Sequence, residues 1–124
     1  MPTQLARPVT DSAFGDLQLF KAAFFRALAH PVRIRILELL VKGERSVQEL
    51  QEALGLEQPV VSQQLAVLRA NHVVSGRKEG VSVRYTVRDP LIGTLLDTAR
   101  QIFNKQLVGT RDLLRQLKRE DRRR

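Results

Sequence analysis

Two helix starts lie close together in the middle of this chain with one glycine between them, and no other feature restricts the fold as strongly. Ser46-Val-Gln-Glu49 is a capping box, in which the Ser hydroxyl and the Glu carboxylate each take an amide that the first helical turn leaves unpaired. The helix begun there has its apolar positions at Val47, Leu50, Ala53 and Leu54. It meets Gly55, which can adopt the left-handed conformation that ends a helix sharply, with Leu56 placed to plug the turn. A further helix begins near Gln58-Pro59. Helix, short glycine-containing turn and helix together make the helix-turn-helix pattern, which other short helical hairpins also share.

The flanking segments narrow the choice. From Gly15 onward, Leu17, Phe20, Phe24 and Leu28 recur every three or four residues and predict a helix that ends near His30-Pro31. Pro31 opens a second helix with Ile34, Leu37, Leu40 and Val41 as its buried face, and Gly43 stops it. After Asn71, the β-branched and aromatic segments Val73-Val74-Ser75 and Ser82-Val-Arg-Tyr-Thr-Val87 flank the polar stretch Arg77-Lys-Glu-Gly80 and predict a hairpin, or wing. A final helix opens at Asp89-Pro90 and extends to Leu117, interrupted by Gly93 and Gly109. Its apolar residues Ile92, Leu96, Ala99, Phe103, Leu107, Leu114 and Leu117 lie near heptad spacing, too many for a monomer.

The expected fold class is therefore mainly α with a small β-hairpin: a winged helix-turn-helix of about five helices plus a two-stranded wing. Residues 14–117 form the expected domain. Residues 1–13, with Pro2, Pro8 and several small polar residues, read as a flexible arm, and residues 118–124 as a basic tail.

Twenty-one Lys and Arg against 13 Asp and Glu leave a net charge of +8, which favours a polyanionic partner. Part of that excess crowds the C-terminus, at Arg115, Lys118, Arg119, Arg122, Arg123 and Arg124, so charge alone does not locate a binding face. The absence of cysteine excludes disulfides, thiolate metal sites and thiol nucleophiles. No glycine-rich phosphate loop, Ser-His-Asp grouping or metal-ligand cluster stands out, so an enzyme is the weakest reading and no cofactor is expected. Nothing resembles a leader peptide or a membrane span, which predicts a cytoplasmic protein with no membrane partner.

The helix from Gln58 to Asn71 carries the clearest functional signal. Val61, Leu65 and Leu68 share one stripe that must face the core, while Pro59, Ser62, Gln63, Ala66 and Ala70 fall opposite. Small residues let a helix backbone approach the floor of the major groove, and amide and hydroxyl groups can read base edges or hold phosphate. A solvent-facing helix without a partner usually carries Glu and Lys, and neither occurs between Gln58 and Ala70. Gln58 and Arg69 flank this face, and the positive helix N-terminus suits a phosphate near Gln58. An ordinary polar surface rich in Gln and Ser is the plain alternative. On the wing, Arg77 and Lys78 are the main phosphate candidates; Arg84 either joins them or covers the sheet face.

These residues resemble the ArsR/SmtB family of winged helix-turn-helix repressors. The resemblance runs from about Phe24 to Val87. It rests on Ala27-Leu-Ala-His-Pro-Val-Arg33 with Ile34-Arg-Ile-Leu37, Ser46-Val-Gln-Glu-Leu50, Val61-Ser-Gln-Gln-Leu65 with Val67-Leu68-Arg69, and Val73-Val74. It implies a homodimer whose first and last helices pack across a twofold axis, through Leu17, Phe20 and Phe24 and through Ile92, Leu96, Ala99, Phe103 and Leu107. It also implies an inverted-repeat operator in duplex DNA, recognition-helix contacts at Gln58, Ser62 and Gln63, and wing contacts at Arg77 and Lys78.

The chain departs from the family in its sensing residues. Where many relatives carry Cys-x-Cys on the third helix it has Val47, Gln48 and Glu49, and Asp97 on the last helix lacks a His at matching spacing. No metal site is therefore assigned. His30 and His72, the only imidazoles, have plain structural readings beside the helix-starting Pro31 and at the exit of the recognition helix. The leading expectation is a sequence-specific repressor that acts as a homodimer. A low-specificity architectural DNA-binding protein, a regulator using a weak site of His, Asp and Glu, and a module docking an unidentified effector or co-regulator protein stand as alternatives.

Overall fold

The computed structural model describes residues 15–107 and 111–123, so the N-terminal arm, Gly109 and Arg124 lie outside it. The described residues form six helices and three strands: α1 Asp16–Leu28, α2 Pro31–Val41, β1 Arg45–Ser46, α3 Val47–Leu54, α4 Gln58–Ala70, β2 Val74–Glu79, β3 Ser82–Val87, α5 Leu91–Gln106 and α6 Arg111–Arg123. They divide into two compact units, Met1–Arg88 and Asp89–Arg124. Among them no helix is long and apolar enough to cross a membrane.

In the first unit the core gathers around α2, with Leu50 from α3, Val61, Leu65 and Leu68 from α4, and Val73 and Val74 at the start of the wing. The buried face of α2 is wider than expected and rotated. Ile36, Leu37, Leu39 and Leu40 are buried, whereas Ile34 is exposed and Val41 only half-buried. The reason is packing on several sides, since α2 lies against α1, α3, α4 and β3, and a helix so surrounded buries adjacent positions as well as one stripe.

The wing is also larger than a hairpin. Its three antiparallel strands have the order β1-β3-β2, with Arg45 opposite Tyr85 and Ser46 opposite Arg84. A two-residue strand is too short to show alternation in sequence. It forms because a helix N-cap needs an extended backbone, and Ser46 at φ −80° and ψ 166° meets that need while pairing with β3. In β2 and β3, Val74 pairs with Val87 and Glu79 with Ser82, leaving Gly80-Val81 as a two-residue turn. Gly80 has φ 62° at the first turn position, as a type II′ hairpin requires. Arg77, Lys78 and Glu79 are consequently strand residues and not loop residues.

Each helix end near the candidate site has an identifiable stop. The Ser46 hydroxyl accepts from the Glu49 amide at 3.1 Å and the Glu49 carboxylate from the Ser46 amide at 2.8 Å, completing the capping box. Gly55, at φ 69°, ends α3. His30 caps α2 by accepting the Val32 amide on Nδ1 at 3.1 Å. At the far end of α4, the Val73 amide reaches the Leu68 carbonyl and the His72 amide the Arg69 carbonyl, a Schellman motif in which His72 takes the left-handed position at φ 61°.

In the second unit the single long helix expected to Leu117 is two helices, and the basic tail is helical as far as Arg123. Asp89 receives the Leu91 amide at 2.9 Å, close to the expected start. Gly93 stays inside α5, while Gly109 falls in the undescribed interval between the two helices. The Arg100 guanidinium donates to Asp97 at 2.6 Å and also to Asp121, tying α5 to α6. These groups, with Gln101 and Asn104, line a polar cleft of about 360 Å³.

The left-handed residue after α4 yields a stability test. His72→Gly is expected to unfold at the same or a higher urea midpoint than the natural protein. His72→Val should lose about 1–2 kcal/mol in the same titration, because a β-branched side chain clashes with the backbone at positive φ.

Candidate nucleic-acid interface

Helix α4 is divided as its sequence periodicity requires. Val61, Leu65 and Leu68 are at most 1% exposed, which fixes the rotation of the helix about its axis. On the other side Gln58, Pro59, Gln63, Ala66 and Ala70 are exposed and Ser62 is half-buried, with Arg69 exposed in the last turn. The Gln58 amide group donates to the Ser62 hydroxyl at 2.7 Å, so these two side chains lie side by side along the first turns. Glu57, at the N-cap, makes no side-chain capping bond, and the N-terminal amides are not covered from that side. Four of the expected site residues, Gln58, Pro59, Ser62 and Gln63, thus share one uncharged, shallow face on which a base edge or phosphate could be met.

The wing's cations are arranged less simply. Arg77 and Arg84 stand directly opposite each other on β2 and β3, a pairing of like charges that is destabilising by itself. Glu44, in the segment between α2 and β1, resolves it. Its carboxylate accepts from Arg77 Nη2 at 2.9 and 3.2 Å and from Arg84 Nε at 3.0 Å. Arg77 Nη1 also reaches Glu79 at 3.1 Å. Arg84 Nη2 donates to the Glu44 carbonyl and to Glu49, at 3.3 and 3.2 Å. Arg84 therefore ties β3 to Glu44 and to Glu49 of α3. Lys78 is exposed and makes no hydrogen bond or ion pair among the described residues.

Sequence reasoning missed Glu44, because its partners lie 33 and 40 residues further along the chain. The two guanidiniums, Arg77 foremost, hold its carboxyl below the usual carboxylate range. The Ser46 amide foremost, with Arg84, does the same for Glu49, and Glu79 with Glu44 raises Arg77.

The residues expected at a dimer interface are unevenly placed. Leu17 and Phe20 on α1 are 59% and 72% exposed, and Phe103 on α5 is also exposed. Phe24, Leu96, Ala99 and Leu107 are half-buried, whereas Ile92 is buried within the single chain. Phe25, not singled out in the sequence, is exposed and meets Phe24 edge to face with centroids 5.4 Å apart. Among the described residues no group of three or more His, Asp or Glu is placed to hold a metal ion.

Residues 30–75 match the family model described as bacterial regulatory protein, arsR family. The chain is 49% identical over 92 residues to Rv0081, an uncharacterized HTH-type transcriptional regulator of Mycobacterium tuberculosis, covering 73% of this chain and 81% of that one. The crystal structure of Rv0081 superposes with a TM-score of 0.70 at 47% identity, over 76% of this chain and 95% of that one. A biofilm growth-associated repressor of Xylella fastidiosa is 36% identical, over 68% of this chain and 75% of its own. The solution structure of a homodimeric winged helix-turn-helix DNA-binding domain from Mycobacterium bovis superposes with a TM-score of 0.69 at 26% identity, over 82% and 97%.

The Glu44 bridge should be visible in an NMR titration. A carboxyl whose folded pKa is depressed contributes stability above its unfolded pKa and loses it as pH falls through the folded value. The Glu44 carboxyl is expected to titrate with a midpoint below that of an unfolded glutamate, about 4.3. The Arg84 Nε resonance should follow it, and lose that response in Glu44→Gln. A Glu44 midpoint at or above the ordinary value would mean that the bridge does not persist in solution.

Proposed function

The chain belongs to the ArsR family of bacterial regulatory proteins, as a DNA-binding transcriptional regulator built on a winged helix-turn-helix and not an enzyme, and from that premise we propose that it is a sequence-specific repressor. In this reading it binds an inverted-repeat operator as a homodimer. The observation that carries it is the division of α4: an inner stripe with no freedom to rotate, beneath an outer face free of Glu and Lys that presents Gln58, Ser62 and Gln63. A helix held this rigidly can bring the same side chains to the same base edges each time.

Each part then takes a role. Gln63, fully on the outer face, reads a base edge; Gln58 and Ser62, already joined by a hydrogen bond, meet the first phosphate or base beside the helix N-terminus. Pro59 and the two alanines keep the face shallow. Lys78 is the wing's readiest phosphate contact, since Arg77 must share its guanidinium with Glu44 and Glu79. Arg69 contacts backbone at the far end of α4. A second copy covers Leu17 and Phe20 on α1 and Phe103 on α5, burying apolar surface that water otherwise meets. The homodimeric state of the Mycobacterium bovis domain supports that assembly, and the repressor of Xylella fastidiosa supports the sign of regulation.

Binding measurements on the upstream region of the protein's own coding sequence test this reading. The natural protein is expected to prefer that duplex over a random one at moderate salt, and to weaken steeply as salt rises because phosphate contacts release counterions. Gln63→Ala should cost ~1–3 kcal/mol on the preferred duplex and nothing on the random one. Equal losses on both would make Gln63 a backbone contact, and no preference in the natural protein would overturn sequence-specific repression.

A further inference from the structure

We propose that Arg33 is a positioning residue for DNA reading: its guanidinium ties the C-terminal end of α1 to Gln64 of α4, so that ordering α1 in the dimer also sets the reading helix. The proposal rests on α4 as the DNA-reading helix and on α1 as part of the dimer interface.

The last carbonyls of a helix have no partner within it. At the end of α1, Arg33 reaches two: Nε donates to the Ala27 carbonyl at 2.6 Å, and Nη2 at 3.3 Å to the Arg26 carbonyl, which also accepts the Ala29 amide at 3.2 Å. A cation at a helix C-terminus is also favoured by the helix dipole. The third bond leaves α1 altogether, since Nη1 donates to Gln64 Oε1 at 2.8 Å. The guanidinium is planar, with its N–H groups in a fixed fork, so these three bonds hold the end of α1 and one side chain of α4 in a set relation.

Gln64 is well placed to pass that relation on. It stands between Gln63, on the exposed face, and Leu65, in the core, and is itself half-buried. Arg33, also half-buried, lies on α2 between the two helices it joins. A displacement at the end of α1 therefore pulls on α4 at the border between its anchored and its reading sides.

Helix α1 is held unevenly. Only Ala27 and Leu28, at its C-terminal end, are buried, while Leu17, Phe20 and Phe25 are exposed along the rest. A helix of 13 residues that leaves the face of Leu17, Phe20 and Phe25 uncovered and only half-buries Leu19, Ala23 and Phe24 is weakly held, since so short a helix is marginal in water by itself. A second copy packed on that face orders α1, and an ordered α1 presents its terminal carbonyls to Arg33 in one position. Two events that share the ordering of one element favour each other, and the coupling is reciprocal, so operator DNA also tightens the dimer.

The test compares Arg33→Lys, Gln64→Met and the double variant with the natural protein. Lysine keeps the charge but cannot make the fork, and methionine keeps the length of Gln64 but removes its acceptor. Each single variant is expected to keep its helical circular dichroism and its random-duplex affinity, and to lose about tenfold on the operator, the loss of roughly one charge-assisted hydrogen bond. The double variant should lose no more than either single. Sedimentation equilibrium should show operator DNA strengthening the dimer in the natural protein and doing so less in all three variants. Additive losses, or full operator affinity in both singles, would overturn the link while leaving α4 as the reading helix. A natural protein with no operator preference would instead overturn the reading on which the link rests.

Discussion

The reciprocal bonds between Ser46 and Glu49 hold two parts of this protein in register. The extended backbone that lets Ser46 cap α3 is the same one that lets it pair with Arg84 in β3, so one residue ends the wing's third strand and begins the first helix of the helix-turn-helix. Glu49 then adds a second tie, by accepting from Arg84 across the sheet. The wing is fastened to the helices by side-chain chemistry at this joint, in addition to the packing of β3 against α2 and the burial of Val73 and Val74.

From that joint the geometry of α4 follows by exclusion. Gly55 turns the chain, Val61, Leu65 and Leu68 use up the inward side, and the Schellman motif at His72 returns the chain to the sheet. What remains outward is a narrow set of positions whose direction is set by the buried stripe. The same rigidity makes a bond such as Arg33 to Gln64 consequential, because a well-packed helix responds to a pull by moving as a body.

Charge is used more sparingly here than a net +8 suggests. Arg77 and Arg84 share Glu44, Arg77 also shares Glu79, and Arg100 is held by Asp97 and Asp121. These cations serve the fold first, since two arginines facing each other across strands need an anion between them. The balance leaves the Lys78 side chain without an ion-pair partner among the described residues.

Features carried by neighbouring residues were legible in the sequence. The capping box, Gly55, the stripe of Val61, Leu65 and Leu68 and the β-rich segments of the wing each act over a few residues, and local propensity and periodicity determined them before any packing. Other features depended on residues far apart in the chain meeting in space. A strand of two residues cannot alternate visibly, the buried face of α2 depends on how many elements surround it, and Glu44 and Gln64 gain their roles from arginines more than 30 positions away. The sequence by itself thus determined the first four helices, the turn and the outward face of α4. Only the tertiary structure decided which cations are already spoken for and which helices are bonded together, because ion pairs and hydrogen bonds form between atoms brought within about 3 Å, whatever their separation along the chain.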